Sequence, residues 1–166
     1  MIVDCKDECH FGIGEMDIFA SITPDVVKEH RAHVENASYI ILDDNLPLNT
    51  IKYILDLATH SKIPVWYEPT DVKKATKIFE TESQWQNVRI ISPNRNELKA
   101  IAKCLGISVT KEKSSMDLEE VKTIAEHVAE IVPVIVVRKA LGTSSFLLPV
   151  TARSSRARSR RGFDRR

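Results

Sequence analysis

Four short apolar runs recur along the chain, each long enough for one β-strand, and they constrain the fold more than any other feature. They occupy residues 39–42, 64–67, 88–91 and 134–137. The runs are apolar throughout except for Arg89, whereas a strand with one face in water would alternate apolar and polar residues. Helix-forming sequence lies in the three intervals between the runs. This order predicts an α/β fold, with a mostly parallel sheet and helices on both of its faces.

The turn after the run at residues 88–91 is the strongest candidate for a functional site. Ser92-Pro93 ends the strand, because a proline cannot donate a ladder hydrogen bond. Asn94 can then cap a helix in which Glu97 lies one turn from the start. Open α/β sheets bind anions at such a place, and a carboxylate there could hold a hydrated Mg²⁺. The alternative is an ordinary capped helix, in which Glu97 is a first-turn acid and nothing more.

Other helix starts are expected from the same kind of signal. Thr23 precedes Pro24, which is preorganised for the first position of a helix, so Thr23 is expected to be a cap. Asn49 is expected to cap a second helix, which follows the first apolar run. A polar helix is predicted over residues 71–81. These helices would connect successive strands of the sheet.

The last segment of the chain, residues 151–166, differs in composition from the rest. It holds seven arginines against one acidic residue, Asp164, whereas residues 1–150 are mildly acidic. Such a segment is predicted to be disordered, so we expect one domain over residues 1–150 and a separate tail. An arginine-serine tract can bind RNA through phosphate contacts. The alternative, which we favour because the change is abrupt, is read-through of an intron or a shifted frame.

Hydropathy and cysteine usage predict a cytoplasmic protein without a membrane span. No run approaches the 18 apolar residues of a transmembrane helix, and the amino terminus lacks the basic and apolar regions of a signal peptide. Three cysteines cannot all pair with one another, which favours a reduced compartment.

Five short motifs follow one another along the chain. They are GIGEM with a following ITP at residues 12–16 and 22–24, DDNLP at 43–47, VWYEP at 65–69, Lys74-Ala75, and PNRNE at 93–97. In order and approximate spacing they resemble the motifs of PfkB/ribokinase-type carbohydrate kinases, and within that family those of the pseudouridine kinases. The resemblance covers about residues 1–148 and implies a ribokinase-like fold.

The resemblance implies ATP- and Mg²⁺-dependent phosphorylation of a sugar or nucleoside hydroxyl, which for pseudouridine kinases is the 5′-hydroxyl of pseudouridine. Asn94 and Glu97 match the family's asparagine-x-x-glutamate motif, which helps to place Mg²⁺ and the transferring phosphate. Asp43 and Asn45 are expected to have a supporting or phosphate-side role, and the alternative for them is a simple capping turn. The implied partner is a small-molecule substrate; nucleic acid would bind only through the tail.

Two departures from the family pattern lead us to expect an incomplete copy that gives no turnover alone. Family members are substantially longer, and their glycine-x-glycine-aspartate motif, which supplies the catalytic base, has no match here. Their nucleotide loop corresponds to residues 140–145, where Gly142 is kept but Ala140 and Ser145 replace a threonine and a glycine. Two alternatives stay open: part of a bifunctional pseudouridine-5′-phosphate glycosidase/kinase, or a non-catalytic remnant that binds a partner.

Overall fold

The structure is a computed structural model of the 166-residue chain. It describes residues 2–3, 9–11, 16–81, 84–109, 118–137 and 146–149. The Arg-rich tail at residues 151–166 and the loop that contains Gly142 lie outside the described residues, so the expectations for them remain predictions.

The described strands form a five-stranded sheet and a separate antiparallel pair. The pair consists of β1 (Ile2–Val3) and β2 (Cys9–Phe11). The five strands stand in sequential order and are β3 (Ile40–Asp43), β4 (Val65–Glu68), β5 (Val88–Ile91), β6 (Val134–Val137) and β7 (Phe146–Pro149). Strands β3 to β6 are mutually parallel, and β7 is antiparallel to β6. The predicted α/β fold with a mostly parallel sheet is therefore confirmed.

Five α-helices and three short 3-10 helices accompany these strands in the described ranges. The α-helices are α1 (Pro24–Glu29), α2 (Arg31–Glu35), α3 (Leu48–His60), α4 (Arg95–Cys104) and α5 (Leu118–Ala129). The 3-10 helices cover Asp17–Ser21, Lys77–Glu80 and Gln84–Asn87. None of the described helices is long and apolar enough to cross a membrane.

The hydrophobic core lies against one face of the sheet. Leu42, Tyr67, Ile91 and Ile135 are register partners on adjacent strands, and all four are buried. They share one core cluster with buried side chains of α3, α4 and α5. The strand order has no reversal, and right-handed crossovers between such strands place all connecting helices on the same face.

Side chains on the opposite face of the sheet are less buried. Trp66, Ile90 and Val134 are register partners there and are partly exposed, and Ile41 on β3 is 68% exposed. The continuous apolar runs predicted strands covered on both faces. In the described part of the chain, burial instead alternates along β3, β4 and β6.

Two of the three expected helix caps are confirmed. The Thr23 hydroxyl accepts from Val26 N at 3.5 Å, and Asn94 caps α4 through its side chain. The expectation for Asn49 is wrong, because α3 begins at Leu48 with Pro47 in the capping position and no side-chain cap bond. The Asn49 side chain accepts instead from the adjacent Thr50 N at 2.9 Å.

The polar helix predicted over residues 71–81 is also wrong. The segment forms turns followed by the 3-10 helix Lys77–Glu80. The carbonyl of Lys74 accepts from Lys77 N at 2.8 Å, three residues ahead, instead of from the residue four ahead that an α-helix requires. It also accepts from the hydroxyl of Tyr67 on β4. Contacts with the sheet therefore override the local helical preference.

Candidate functional site

The carboxyl ends of β3, β4 and β5 meet at one edge of the sheet, and the predicted site residues lie there. Asp43 at the end of β3 is the register partner of Glu68 at the end of β4. Asn45 follows β3 in the chain, and Asn94 with Glu97 follows β5. The sheet thus brings together three segments that are far apart in the sequence, at the edge where parallel α/β sheets bind ligands.

The turn after β3 is closed by Asp43 and Asn45. The carboxylate of Asp43 accepts from Asn45 N and from Asn45 Nδ2, each at 3.0 Å. This Asx-type turn is the capping arrangement that was the alternative to a ligand role for these residues. Both side chains are partly exposed, so the turn also presents polar atoms at the sheet edge.

Asp44 joins this turn to the segment after β4. Its side chain is fully buried, and its carboxylate accepts from Thr70 N at 3.2 Å and from the Thr70 hydroxyl. Lys77 holds the same turn from the other side, donating to the carbonyl oxygens of Asp44 and Leu46. The ends of β3 and β4 are therefore tied together by buried and charge-assisted hydrogen bonds.

Asn94 and Glu97 form a complete capping box at the start of α4. Asn94 Oδ1 accepts from Asn96 N and Glu97 N, each at 2.9 Å. In return, the Glu97 carboxylate accepts from Asn94 N and Asn94 Nδ2, each at 2.7 Å. Glu97 is 1% exposed, so its position is set by these bonds and by packing around it.

The polar side chains at this sheet edge can be compared with the donors that a magnesium ion requires. Carboxylate and amide oxygens are the donors that Mg²⁺ prefers, and the sheet edge offers several of them. No group of three or more His, Cys, Asp or Glu side chains converges as a metal site within the described residues. Oxygen donors of this kind fit a hydrated Mg²⁺, and the expected indirect role of Glu97 remains a prediction.

Ser92 connects the ends of β4 and β5. Trp66 Nε1 donates to the Ser92 hydroxyl at 2.6 Å, and that hydroxyl donates to the carboxylate of Glu68. Ser92 is 2% exposed. The orientation of Glu68 toward β5 is set by this pair of bonds.

Tyr67 lies beneath the site in the middle of the sheet. It is fully buried, and its hydroxyl donates to the carbonyl oxygen of Lys74 at 3.4 Å. Burial raises the pKa of Tyr67 well above its usual value, and the carboxylates of Asp44, Asp43 and Glu97 raise it further, in that order. The phenol is therefore neutral at physiological pH, and three carboxylates of the sheet edge act on it.

The raised pKa of Tyr67 predicts a loss of stability in alkali. An unfolded tyrosine ionises near pH 10, while the folded one keeps its proton, so the folded state binds more protons above that pH. The stabilisation is fully present below about pH 10, and above it the free energy of unfolding should fall by up to about 1.4 kcal/mol per pH unit. Urea unfolding between pH 9 and 11.5 measures this slope.

Tyr67→Phe should remove that part of the slope, because phenylalanine cannot ionise. Tyr39→Phe is the matched control, since Tyr39 is 53% exposed. Equal alkaline slopes in the wild type and in Tyr67→Phe would contradict the prediction.

Several residues of this site were not identified from the sequence. Asp44, Lys77 and Ser92 contact partners that are distant along the chain. The sequence signals for Asp44 were its place in a turn directly after a strand and in the DDNLP motif, both of which it shares with Asp43. Gly142 lies outside the described residues, so its expected nucleotide-loop role remains a prediction.

Two curated relatives match part of the chain in sequence. A pseudouridine kinase from Arabidopsis thaliana is 30% identical over 106 residues, which is 63% of this chain and 27% of that protein. A pseudouridine kinase from Escherichia coli is 26% identical over 101 residues, or 61% of this chain and 31% of that protein. The chain thus spans about a third or less of the relatives it matches. No family model matches it.

Two solved structures with a similar fold are described as a carbohydrate kinase and a sugar kinase. A carbohydrate kinase from Agrobacterium tumefaciens aligns with 81% of this chain and 38% of its own, with a TM-score of 0.53 and 17% identity. A protein from Clostridium perfringens described as a sugar kinase aligns with 82% of this chain and 39% of its own, with a TM-score of 0.57 and 20% identity. The chain has the fold of part of a carbohydrate kinase, and its sequence is similar to part of the pseudouridine kinases. Over the matched segment it therefore resembles the PfkB/ribokinase-type carbohydrate kinases.

Proposed function

We propose that this chain is a segment of an ATP-dependent kinase that phosphorylates a hydroxyl group of a sugar or nucleoside. The observation that carries the proposal is the Asn94–Glu97 pair at the carboxyl end of β5. It matches the family's asparagine-x-x-glutamate motif and lies at the carboxyl end of a parallel strand, where open α/β sheets bind ligands. Pseudouridine is the substrate we propose to test first, because both curated relatives described above are pseudouridine kinases.

Phosphoryl transfer needs little covalent chemistry from the protein, so positioning and charge neutralisation supply most of the catalysis. In this proposal Glu97 would help to hold a hydrated Mg²⁺, and Asn94 holds Glu97 in place. The bound ion would supply charge neutralisation for the phosphate chain of ATP. Asp43 and Asn45 shape the phosphate side of the site, and Gly142 belongs to the nucleotide loop. No residue of this chain is assigned as the catalytic base.

We further propose that turnover needs polypeptide beyond this segment, because the matches cover only 27% and 31% of the two pseudouridine kinases. The cytoplasm is the compartment proposed for the parent protein. The parent protein could be bifunctional and carry an attached glycosidase domain. The experiment that tests the kinase activity also tests for this domain.

The first experiment is to sequence the native transcript on both sides of this reading frame and to express the continuous frame. We expect a glycine-x-glycine-aspartate motif after about residue 148, and ATP- and Mg²⁺-dependent phosphorylation of pseudouridine by the expressed protein. Ribose and uridine serve as comparison substrates. A parent that phosphorylates none of the three would overturn the proposed function, and a transcript confined to residues 1–166 would leave a binding role.

A further inference from the structure

Lys74 occupies a position that the proposed reaction does not yet use. It lies in the turns after β4, and its side chain reaches across to the turn after β3, where Nζ donates to Asn45 Oδ1 at 3.1 Å. The side chain is partly exposed, and no ion pair is found for it within the described part of the chain. An ammonium group has three N–H donors, so two remain for a ligand.

The backbone of Lys74 is anchored on both sides of the residue. Its N–H donates to the carbonyl of Asp71 at 3.1 Å, and its carbonyl accepts from Lys77 N at 2.8 Å. The buried hydroxyl of Tyr67 donates to the same carbonyl from the sheet. The base of the side chain is therefore held at the ends of β3 and β4, and is not free to move as it would be on an open loop.

Asn45, the partner of the ammonium group, is oriented by Asp43. Asn45 Nδ2 donates to the carboxylate of Asp43 at 3.0 Å, which leaves Asn45 Oδ1 directed to Lys74. A neutral amide oxygen thus positions the ammonium group without neutralising its charge. A carboxylate in direct contact would instead compete with an anionic ligand for the same N–H donors.

We propose that Lys74 contacts the phosphate group of a bound nucleotide or phosphorylated product at the edge formed by β3 and β4. Lysine binds phosphate as a point charge, which suits an ammonium group with two unused donors. Asp43 and Asn45 are positioning residues for it. This inference rests on the proposed kinase function, and it adds an anion contact by the turns after β3 and β4 to the Asn94–Glu97 pair, which follows β5.

Calorimetric binding of tripolyphosphate to the full 166-residue chain tests the anion contact without requiring a nucleoside. Lys74→Met should weaken binding by about tenfold, the effect of losing one charge-assisted hydrogen bond. Lys73→Met makes the same charge change at an exposed neighbour and should change binding by less than about twofold. Lys74→Arg should restore most of the affinity, because it keeps the charge.

Parallel titrations with ATP and with adenosine distinguish a phosphate contact from a base contact. ATP should respond to Lys74→Met as tripolyphosphate does, and adenosine should not respond. Unchanged melting temperatures of the variants confirm that folding is intact. Equal losses in Lys74→Met and Lys73→Met, or a wild-type chain that binds no tripolyphosphate, would overturn the inference.

The inference and the proposed kinase function can fail separately. If tripolyphosphate binding depends on Lys74 but the parent phosphorylates no sugar or nucleoside, the anion contact stands and the kinase function fails. If the parent is an active kinase and Lys74→Met leaves the KM for ATP unchanged, the kinase function stands and the anion contact fails.

Discussion

Asp44→Ala should lower the free energy of unfolding by about 3 kcal/mol, because it removes a buried carboxylate and leaves Thr70 without its acceptor. Asp44 is fully buried and accepts both the N–H and the hydroxyl of Thr70. Hydrogen bonds to a charged group are stronger than neutral ones, and buried donors without acceptors are costly. Urea unfolding at pH 7 measures the change.

Asp43→Ala is the matched control for Asp44. It makes the same charge change one residue earlier, but Asp43 is partly exposed and its hydrogen bonds with Asn45 stay within its own turn. We expect a loss of about 1 kcal/mol for it. Asp44→Asn should fall between the two, because it keeps the shape and one acceptor oxygen. If Asp44→Ala cost no more than Asp43→Ala, the buried bridge between β3 and β4 would not be an important stabilising contact.

Glu97→Ala should lower the free energy of unfolding by about 2 to 3 kcal/mol, because it deprives Asn94 N and Nδ2 of their acceptor inside the protein. Glu97 also lies at the positive end of α4, where its charge is favourable. Glu97→Gln should cost less, since one side-chain oxygen can still accept from Asn94 N. Chemical unfolding of the variants gives the values.

Glu119→Ala is the control for the charge of Glu97. Glu119 is also a first-turn acid, in α5, but its side chain is exposed. Removing it should cost only about 0.5 kcal/mol, the effect of the helix dipole alone. A double-mutant cycle with Asn94→Ala then isolates the coupling within the capping box. Equal losses for Glu97→Ala and Glu119→Ala would show that the capping bonds contribute little.

Local features of the site were predictable from the sequence, because they depend on residues close together in the chain. The Asn94–Glu97 pair is three residues apart, and the capping box needs only one turn of helix. The same holds for Asp43 and Asn45, which are two residues apart. In both pairs the structure shows the capping interaction that was the alternative to ligand binding. Ligand binding by the same residues is still a proposal.

Two local predictions failed, one because a contact with the sheet outweighed helix propensity and one because a nearby residue took the capping position. Residues 71–81 carry a helix-compatible composition, yet the Lys74 carbonyl accepts from Tyr67 and Lys77 in a tighter turn. Asn49 is a good capping residue, but Pro47 already occupies the capping position with an extended ψ of 145°. Propensity differences of less than about 1 kcal/mol per residue are small enough for such contacts to override.

The sequence by itself determined the four parallel strands, the α/β class and the capped helix after β5, since apolar runs and capping signals act over a few residues. Only the tertiary structure decided which polar groups meet at the sheet edge. Thr70 reaches Asp44 across 26 residues, Lys74 reaches Asn45 across 29, and Lys77 reaches Asp44 across 33. These contacts follow from strand order and register, which place the ends of β3, β4 and β5 side by side and which no local pattern specifies.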